Sequence, residues 1–269
     1  MAIAFGSVGS FPATPFTPAS STTMAVPYPV GVALGDPLIL VAVNGGPNSF
    51  STPSTWTASE FSANVGNIGD TAAYVFTKAA DATDVSASST SGTLTVTCSA
   101  SLVLVGAMVR YSGAGGFGDT ASGGSSSIST TSVANGTLSP APGANDMVVR
   151  CYCWSPDVSG SGESLTNPGG TWTTRLNLIT NWTNDGTHFN GAIVIADKIS
   201  GTDTQNITSS VTGAWFVVDV ALTPIIIGSK AVRIHPGRGP GTARFRQRAM
   251  STALPVANPM YGDQLLPYS

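Results

Sequence analysis

Apolar runs without helical spacing alternate with turn-forming residues along most of this chain. In residues 38–43, 102–109 and 215–222 nearly every position is apolar. Glycine and proline interrupt the chain every 8 to 12 residues, and the segments between them favour Val, Ile, Thr, Tyr and Trp. This pattern predicts an all-β fold whose central strands are covered on both faces.

The apolar segments predict twelve strands in two sets. The first set is placed near residues 24–28, 37–44, 55–61, 71–78, 93–98 and 101–111, and the second near 129–133, 146–154, 171–179, 188–198, 204–209 and 214–223. Asp219 is the one charge inside the last run, and we expect it to face a hydrogen-bonded edge or an interface.

The order of these segments occurs twice. Asp36 opens an apolar run that is followed by Trp56 and the segment AYVFTK, and about 110 to 120 residues later Asp146, Trp172 and AIVIADK recur in the same order. We therefore predict two tandem β-sandwich domains, jelly-roll-like, related by internal duplication, with extended N- and C-terminal arms. Whether the two modules form separate sandwiches or one shared pseudo-twofold sandwich stays open at this point.

Composition shifts set the boundaries of the predicted parts. They are an N-terminal arm or edge strand (1–23), a first β-sandwich module (24–112), a Gly/Ser-rich linker (113–128), a second module (129–227) and a basic Pro/Gly-rich C-terminal arm (228–269). The proline and glycine content of the last part excludes a long helix and leaves little apolar surface for a core.

Charge is scarce and unevenly distributed. Only 9% of residues are charged, against about 25% in an ordinary domain. Residues 1–229 contain five Lys/Arg and thirteen Asp/Glu, whereas residues 230–269 contain six and one. A basic segment can bind nucleic acid, an anionic membrane or an acidic neighbouring subunit, and we favour the neighbour because its acidic face can come from another copy of this chain. The predicted partner-binding residues are Arg233, Arg238, Arg244, Phe245, Arg246 and Arg248.

The tryptophans divide into two groups. Trp56 and Trp172 hold equivalent places in the two copies, so we predict that they are structural core residues, with a sugar-stacking platform as the alternative. Trp154 and Trp182 have no aromatic counterpart in the first copy and are candidate glycan contacts.

Motifs for catalysis and metal binding are weak. There is no G-x-S-x-G, Walker-type or H-E-x-x-H motif, and the two Glu residues occupy non-equivalent places. Asp81, Asp84 and Asp203 offer too few oxygens at fixed spacing for calcium. The three cysteines are predicted to be small buried residues. We expect no enzymatic activity, no cofactor and no metal.

The start of the chain has no basic region followed by a long apolar core, and no run approaches the length of a membrane span. We therefore expect synthesis and assembly in the cytoplasm, without membrane insertion.

Several phrases together resemble structural proteins of tailed bacteriophages, of the minor tail or virion type. They are MAIAFGSVGS, VPYPVGVALGDPLILVAV, the P-x-x-W-T turn, TKAADATD and GRGPGTARFR, and the resemblance spans most of residues 1–248. It implies a non-enzymatic virion protein, in the tail or as a capsid decoration, that is assembled in the host cytoplasm with other virion proteins and copies of itself. The alternative is a carbohydrate-binding adhesin for host-surface glycans, and nucleic acid is not an expected partner.

Overall fold

The structure is a computed structural model, and it describes twelve segments of the chain. They are residues 2–11, 21–44, 48–65, 71–125, 137–156, 165–166, 171–180, 183–184, 187–188, 191–199, 208–209 and 213–225. All of them belong to one compact unit, Met1–Gly228, which we call the body. A second unit, Ser229–Ser269, lies outside the described residues.

In the first half of the body, the described residues form seven strands and one short helix. In chain order they are β1 Ala4–Phe11, β2 Ser21–Pro27, β3 Pro37–Asn44, β4 Thr57–Val65, β5 Thr71–Ala79, α1 Ala82–Ser89, β6 Thr93–Leu102 and β7 Leu104–Ser112. Five of the strands form an antiparallel sheet in the order β1-β7-β3-β5-β4, here called sheet 1, and β2 pairs with β6 separately.

The second half continues with strands alone among its described residues. They are β8 Ala114–Ser125, β9 Met147–Pro156, β10 Leu165–Thr166, β11 Thr173–Thr180, β12 Thr183–Asn184, β13 Thr187–His188, β14 Gly191–Ile199, β15 Thr208–Ser209 and β16 Gly213–Pro224. Sheet 2 has the order β11-β14-β9-β16-β8, again antiparallel, and the short strands form the pairs β10-β15 and β12-β13.

The two large sheets share one connectivity. When the five strands of each sheet are numbered by their order in the chain, both sheets have the arrangement first, fifth, second, fourth, third. The turn before the second strand is also the same in both halves, since Asp36 Oδ2 accepts a hydrogen bond from Ala33 N and Asp146 Oδ2 accepts one from Gly143 N. The repeat that is visible in the sequence therefore has a counterpart in the strand order.

A single buried cluster lies between sheets 1 and 2. It contains Ile39, Val41 and Val43 from β3 together with residues of β9, β14 and β16, such as Val149 and Val218. The alternate residues of β3 belong to another cluster on the opposite face, and all eight positions of this strand are buried. The prediction that central strands are covered on both faces is confirmed for β3, and the inner core belongs to both halves of the body.

The outer face of sheet 1 is covered by β2, β6 and α1. Met24 and Val26 of β2 approach β7 so closely that a Cβ atom on Gly106 would lie 2.8 Å from Val26 Cγ2 and 2.9 Å from Met24 Sδ. A side chain at this position would require the side chains of Val26 and Met24 to shift, which favours glycine in the middle of this apolar strand.

One segment differs from the sequence prediction. Most of the predicted linker 113–128 is β8, an edge strand of sheet 2 that pairs with β16. Its many glycines and serines are typical of a linker, but a neighbouring strand supplies the hydrogen bonds that stabilise it. The predicted N-terminal arm or edge strand contains β1, which forms the edge of sheet 1 beside β7. The predicted strand at 129–133 and the predicted arm 228–269 lie outside the described residues.

The helix α1 was not expected from the sequence. Asp81 is its N-cap and accepts hydrogen bonds from Thr83 N and Asp84 N, while Asp84 Oδ2 accepts one from Asp81 N. This reciprocal arrangement is a capping box, which stabilises the first turn of a helix. Asp81 and Asp84, which the sequence offered as possible calcium ligands, thus stabilise the start of the helix.

Candidate interaction surface

The structure describes only some of the residues that the sequence singled out. Trp56 and Trp172 each directly precede a strand, β4 and β11, and are 6% and 8% exposed. Trp154 lies in β9 opposite Trp215, but its side chain is outside the described set. The remaining candidates, for which no placement is described, are Trp182, Arg233, Arg238, Arg244, Phe245, Arg246 and Arg248.

The body contains a fully buried ion pair that the sequence did not predict. Arg150 Nε lies 2.7 Å from Asp219 Oδ1 and Arg150 Nη2 lies 2.9 Å from Asp219 Oδ2, and both side chains are 2% exposed. Burial lowers the pKa of Arg150, but the hydrogen bond and charge of Asp219 outweigh it and raise the pKa overall. The expectation that Asp219 faces a hydrogen-bonded edge or an interface is wrong, because β16 has a strand on both sides and the Asp219 side chain is buried against Arg150 within the body.

Trp172 connects this ion pair to a second cation. Its ring centroid lies 4.4 Å from Arg150 Cζ and 5.4 Å from Lys198 Nζ. Within the described part of the chain, the buried Nε1 of Trp172 has no hydrogen-bond partner. The ring therefore lies within cation–π distance of two cationic side chains, a contact that the negative face of an indole favours.

A second charged group ties the two sheets together. The Tyr111 hydroxyl, on β7 of sheet 1, donates a hydrogen bond of 3.0 Å to Asp197 Oδ2 on β14 of sheet 2. Arg175 holds the same carboxylate with two hydrogen bonds and lies over the Phe5 ring at 4.7 Å. Burial, followed by the charge of Asp197, raises the pKa of Tyr111. The hydrogen bonds that Arg175 donates to Asp197 raise the pKa of Arg175.

A third charged group fixes α1 to sheet 1. Lys78 Nζ lies 2.8 Å from Asp84 Oδ2 and 2.9 Å from Asp81 Oδ2, and the Tyr28 hydroxyl donates to Asp84 Oδ1. The hydrogen bond from Lys78 and those from backbone amides lower the pKa of Asp81 to about 2. Burial and the hydrogen bond to Asp84 raise the pKa of Tyr28.

The loop between β2 and β3 is held by a fourth ion pair. Arg110 donates to Asp36 Oδ2 through Nε and to the Val30 carbonyl through Nη1. Ser88 donates to the Pro29 carbonyl and accepts from Val32 N, and Gly35 N donates to the Ala80 carbonyl. These bonds fix the loop backbone at both ends.

All five Lys and Arg residues of the body are used inside the fold. Lys78, Arg110, Arg150 and Arg175 form the ion pairs described above, with side chains 8%, 17%, 2% and 26% exposed, and Lys198 is 7% exposed beside the tryptophan ring. The body contains thirteen Asp and Glu residues against these five cations. Its charge is therefore negative, and its cationic side chains are turned away from solvent.

The large apolar side chains that are exposed among the described residues lie at one end of the body. They are Val30, Leu34, Ile199 and Ile225, which are 75%, 71%, 52% and 40% exposed. Val30 and Leu34 belong to the loop that leads into β3, Ile199 ends β14, and Ile225 follows β16 directly.

Backbone register shows that these positions share an end. β3 begins where β5 and β7 end, and β9 begins where β14 and β16 end. The hydrogen bonds from Tyr111 to Asp197 and from Ile225 N to the Gly113 carbonyl join these ends of sheets 1 and 2. We call this region the Asp36 end.

The described residues show no feature of a metal site or of a membrane-spanning helix. Among the described residues, no group of three or more His, Cys, Asp or Glu is arranged to hold a metal ion, and no helix there has the length and apolar character needed to cross a membrane. Searches against protein-family models, curated proteins and solved structures found no match to this chain.

Proposed function

We propose that this chain is a non-enzymatic structural protein of a tailed-phage virion, in the tail or associated with the capsid. In this proposal it assembles in the host cytoplasm with neighbouring virion subunits, including copies of itself, through its basic C-terminal segment. The resemblance of the sequence phrases to such proteins is one support. The other is the charge distribution of the folded body.

The observation that carries the proposal is the inward placement of all five body cations. Residues 230–248 contain six Lys and Arg residues and no Asp or Glu. The body has eight more carboxylates than cations, and its cations already bind groups within the body. The body therefore has more carboxylates than its own lysines and arginines can neutralise, and this excess favours contact with the basic segment of a neighbouring protein subunit.

The proposal includes a finer description of the fold. The two halves are jelly-roll-like sandwich modules related by internal duplication, with extended terminal arms. The common strand order of sheets 1 and 2 supports the duplication, as does the repeated aspartate turn before β3 and β9. Because the halves bury their inner faces against one another, each requires the other for its core.

Removal of residues 230–269 tests the assembly role. The truncated protein should keep a folded body, measured by circular dichroism and urea unfolding, but should be absent from purified particles in a complementation assay. A matched pair replaces Arg244, Arg246 and Arg248 together by Gln or by Lys. The Gln variant should assemble poorly and the Lys variant better, because Lys keeps the charge. Normal incorporation of the truncated protein contradicts the proposal.

A further inference from the structure

We infer that the Asp36 end is the docking surface for the basic segment, residues 230–248, of a second copy of this chain. The inference rests on the proposed function, because it names the partner and the surface through which the subunits assemble. It also assigns a role to exposed side chains that the packing of the body does not use.

The apolar part of this surface is rigidly presented. Val30 and Leu34 lie in a loop whose backbone is bound by Arg110, Ser88 and the Ala80 carbonyl, so the backbone that carries these side chains is fixed. Both side chains are more than two-thirds exposed, and Ile199 and Ile225 at the same end are 52% and 40% exposed, a grouping of aliphatic side chains that favours a site of contact. Little ordering entropy is lost when a partner covers a loop that is already fixed.

The charged part of this surface is acidic. Asp81 follows β5 at the Asp36 end with 45% of its side chain exposed, and Asp146, partly exposed, precedes β9 at the same end. The cations of this end are bound within the fold: Lys78 to Asp81 and Asp84, Arg110 to Asp36, Arg175 to Asp197, and Lys198 beside the Trp172 ring. Asp81 and Asp84 share one lysine, so the surface combines aliphatic side chains with a small excess of negative charge.

The basic segment has the complementary composition. Val232, Ile234 and Phe245 are interleaved with its six cations, and its prolines and glycines favour an extended chain. An extended segment of this kind places apolar side chains on Val30 and Leu34 while its guanidinium groups reach the carboxylates beside them. The phosphates of a nucleic acid would be repelled by the carboxylates of this surface.

The contact is heterologous, since the segment of one copy binds the end of the next. Repetition of such a contact generates a ring when the rotation closes and a linear chain when it does not. Both results are suited to a repeating virion substructure, and neither requires that a copy bind its own segment.

Photo-crosslinking of the full-length protein tests the inference. Phe245 is replaced by p-benzoylphenylalanine, and copies labelled with ¹⁵N are mixed in equal amounts with unlabelled copies before irradiation. Mass spectrometry should find crosslinks that join a labelled to an unlabelled copy and that end within residues 28–36 or next to Ile199 or Ile225. Crosslinks within one copy only, crosslinks that map elsewhere on the body, or the absence of self-association overturn the inference.

A variant pair measures the contribution of the apolar contact. Leu34→Ser should weaken self-association, measured by sedimentation, by about tenfold or more, as expected for an aliphatic side chain that is buried on binding. Leu34→Met keeps the apolar surface and should change self-association by less than about threefold. Both variants should unfold in urea as the parent does, because the residue is exposed. Equal self-association of the Ser and Met variants contradicts the docking surface.

The two proposals can fail separately. If the truncated protein is excluded from particles while crosslinks never reach the Asp36 end, the assembly role stands and the docking surface is wrong. If the crosslinks reach the Asp36 end but the truncated protein enters particles normally, self-association through this surface stands and the assembly role is wrong.

Discussion

The buried pair of Arg150 and Asp219 permits a prediction whose sign depends on which partners are changed. Replacing Asp219 by Asn leaves a guanidinium buried at 2% exposure without a full countercharge. Loss of one member of a buried ion pair costs about 3–5 kcal/mol, mainly because the remaining charge stays desolvated. Arg150 also lies over Trp172, which limits its movement toward solvent.

The first half of the body supplies the matched replacement. By strand register, Leu40 opposite Met108 in sheet 1 corresponds to Arg150 opposite Asp219 in sheet 2. The double variant Arg150→Leu with Asp219→Met therefore installs a pair that the same sheet architecture already accommodates. Because both charges are removed together, we expect the free energy of unfolding to fall by less than about 2 kcal/mol.

Urea unfolding followed by tryptophan fluorescence measures both variants. With a slope of about 3 kcal/mol per M, the single variant should lower the unfolding midpoint by about 1 to 1.7 M. The double variant should recover more than half of this loss, and a conservative Asp219→Glu variant should show whether the bidentate geometry matters in addition to charge. The reasoning is refuted if the single variant loses less than about 1 kcal/mol, or if the double variant is as unstable as the single one.

Three further predictions concern other parts of the body. Tyr111→Phe removes the hydrogen bond to Asp197 and should lower the free energy of unfolding by about 1.5 to 3 kcal/mol in the same assay, whereas an unchanged midpoint would show that this bond does not tie the sheets together. The pKa of Asp81 is lowered to about 2, so the contribution of its carboxylate to stability is complete above its ordinary pKa near 4 and is lost as pH falls through 2. The Asp81→Asn variant should therefore lose stability less steeply than the parent protein between about pH 4 and pH 2. Identical dependence of stability on pH in the two proteins would contradict this assignment. Burial raises the pKa of Cys151 and Cys153, so a thiol reagent at pH 8 should modify them only after unfolding, and rapid modification of the native protein would mean that the inner core is open.

Two elements of the fold, the helix α1 and the strand β8, did not follow from the sequence pattern. The capping box at Asp81 and Asp84 was present in the sequence as an aspartate followed three residues later by an aspartate, but the helix it begins is only eight residues long and lacks an apolar stripe. The strand β8 was missed because its composition is that of a linker. It becomes a strand through pairing with β16, whose register cannot be read from either segment alone.

Local sequence patterns are sufficient to predict the class of fold and much of the strand pattern. Alternation and β-branched composition are local properties, and for that reason β3 was predicted at residues 37–44, as it is found. The repeated order of segments was also visible without any structure. The tertiary structure alone decided that the two halves share one inner core and that each body cation binds a partner inside the fold. These contacts join residues such as Tyr111 and Asp197, which are far apart in the chain and become neighbours only when the sheets pack, so no local pattern specifies them.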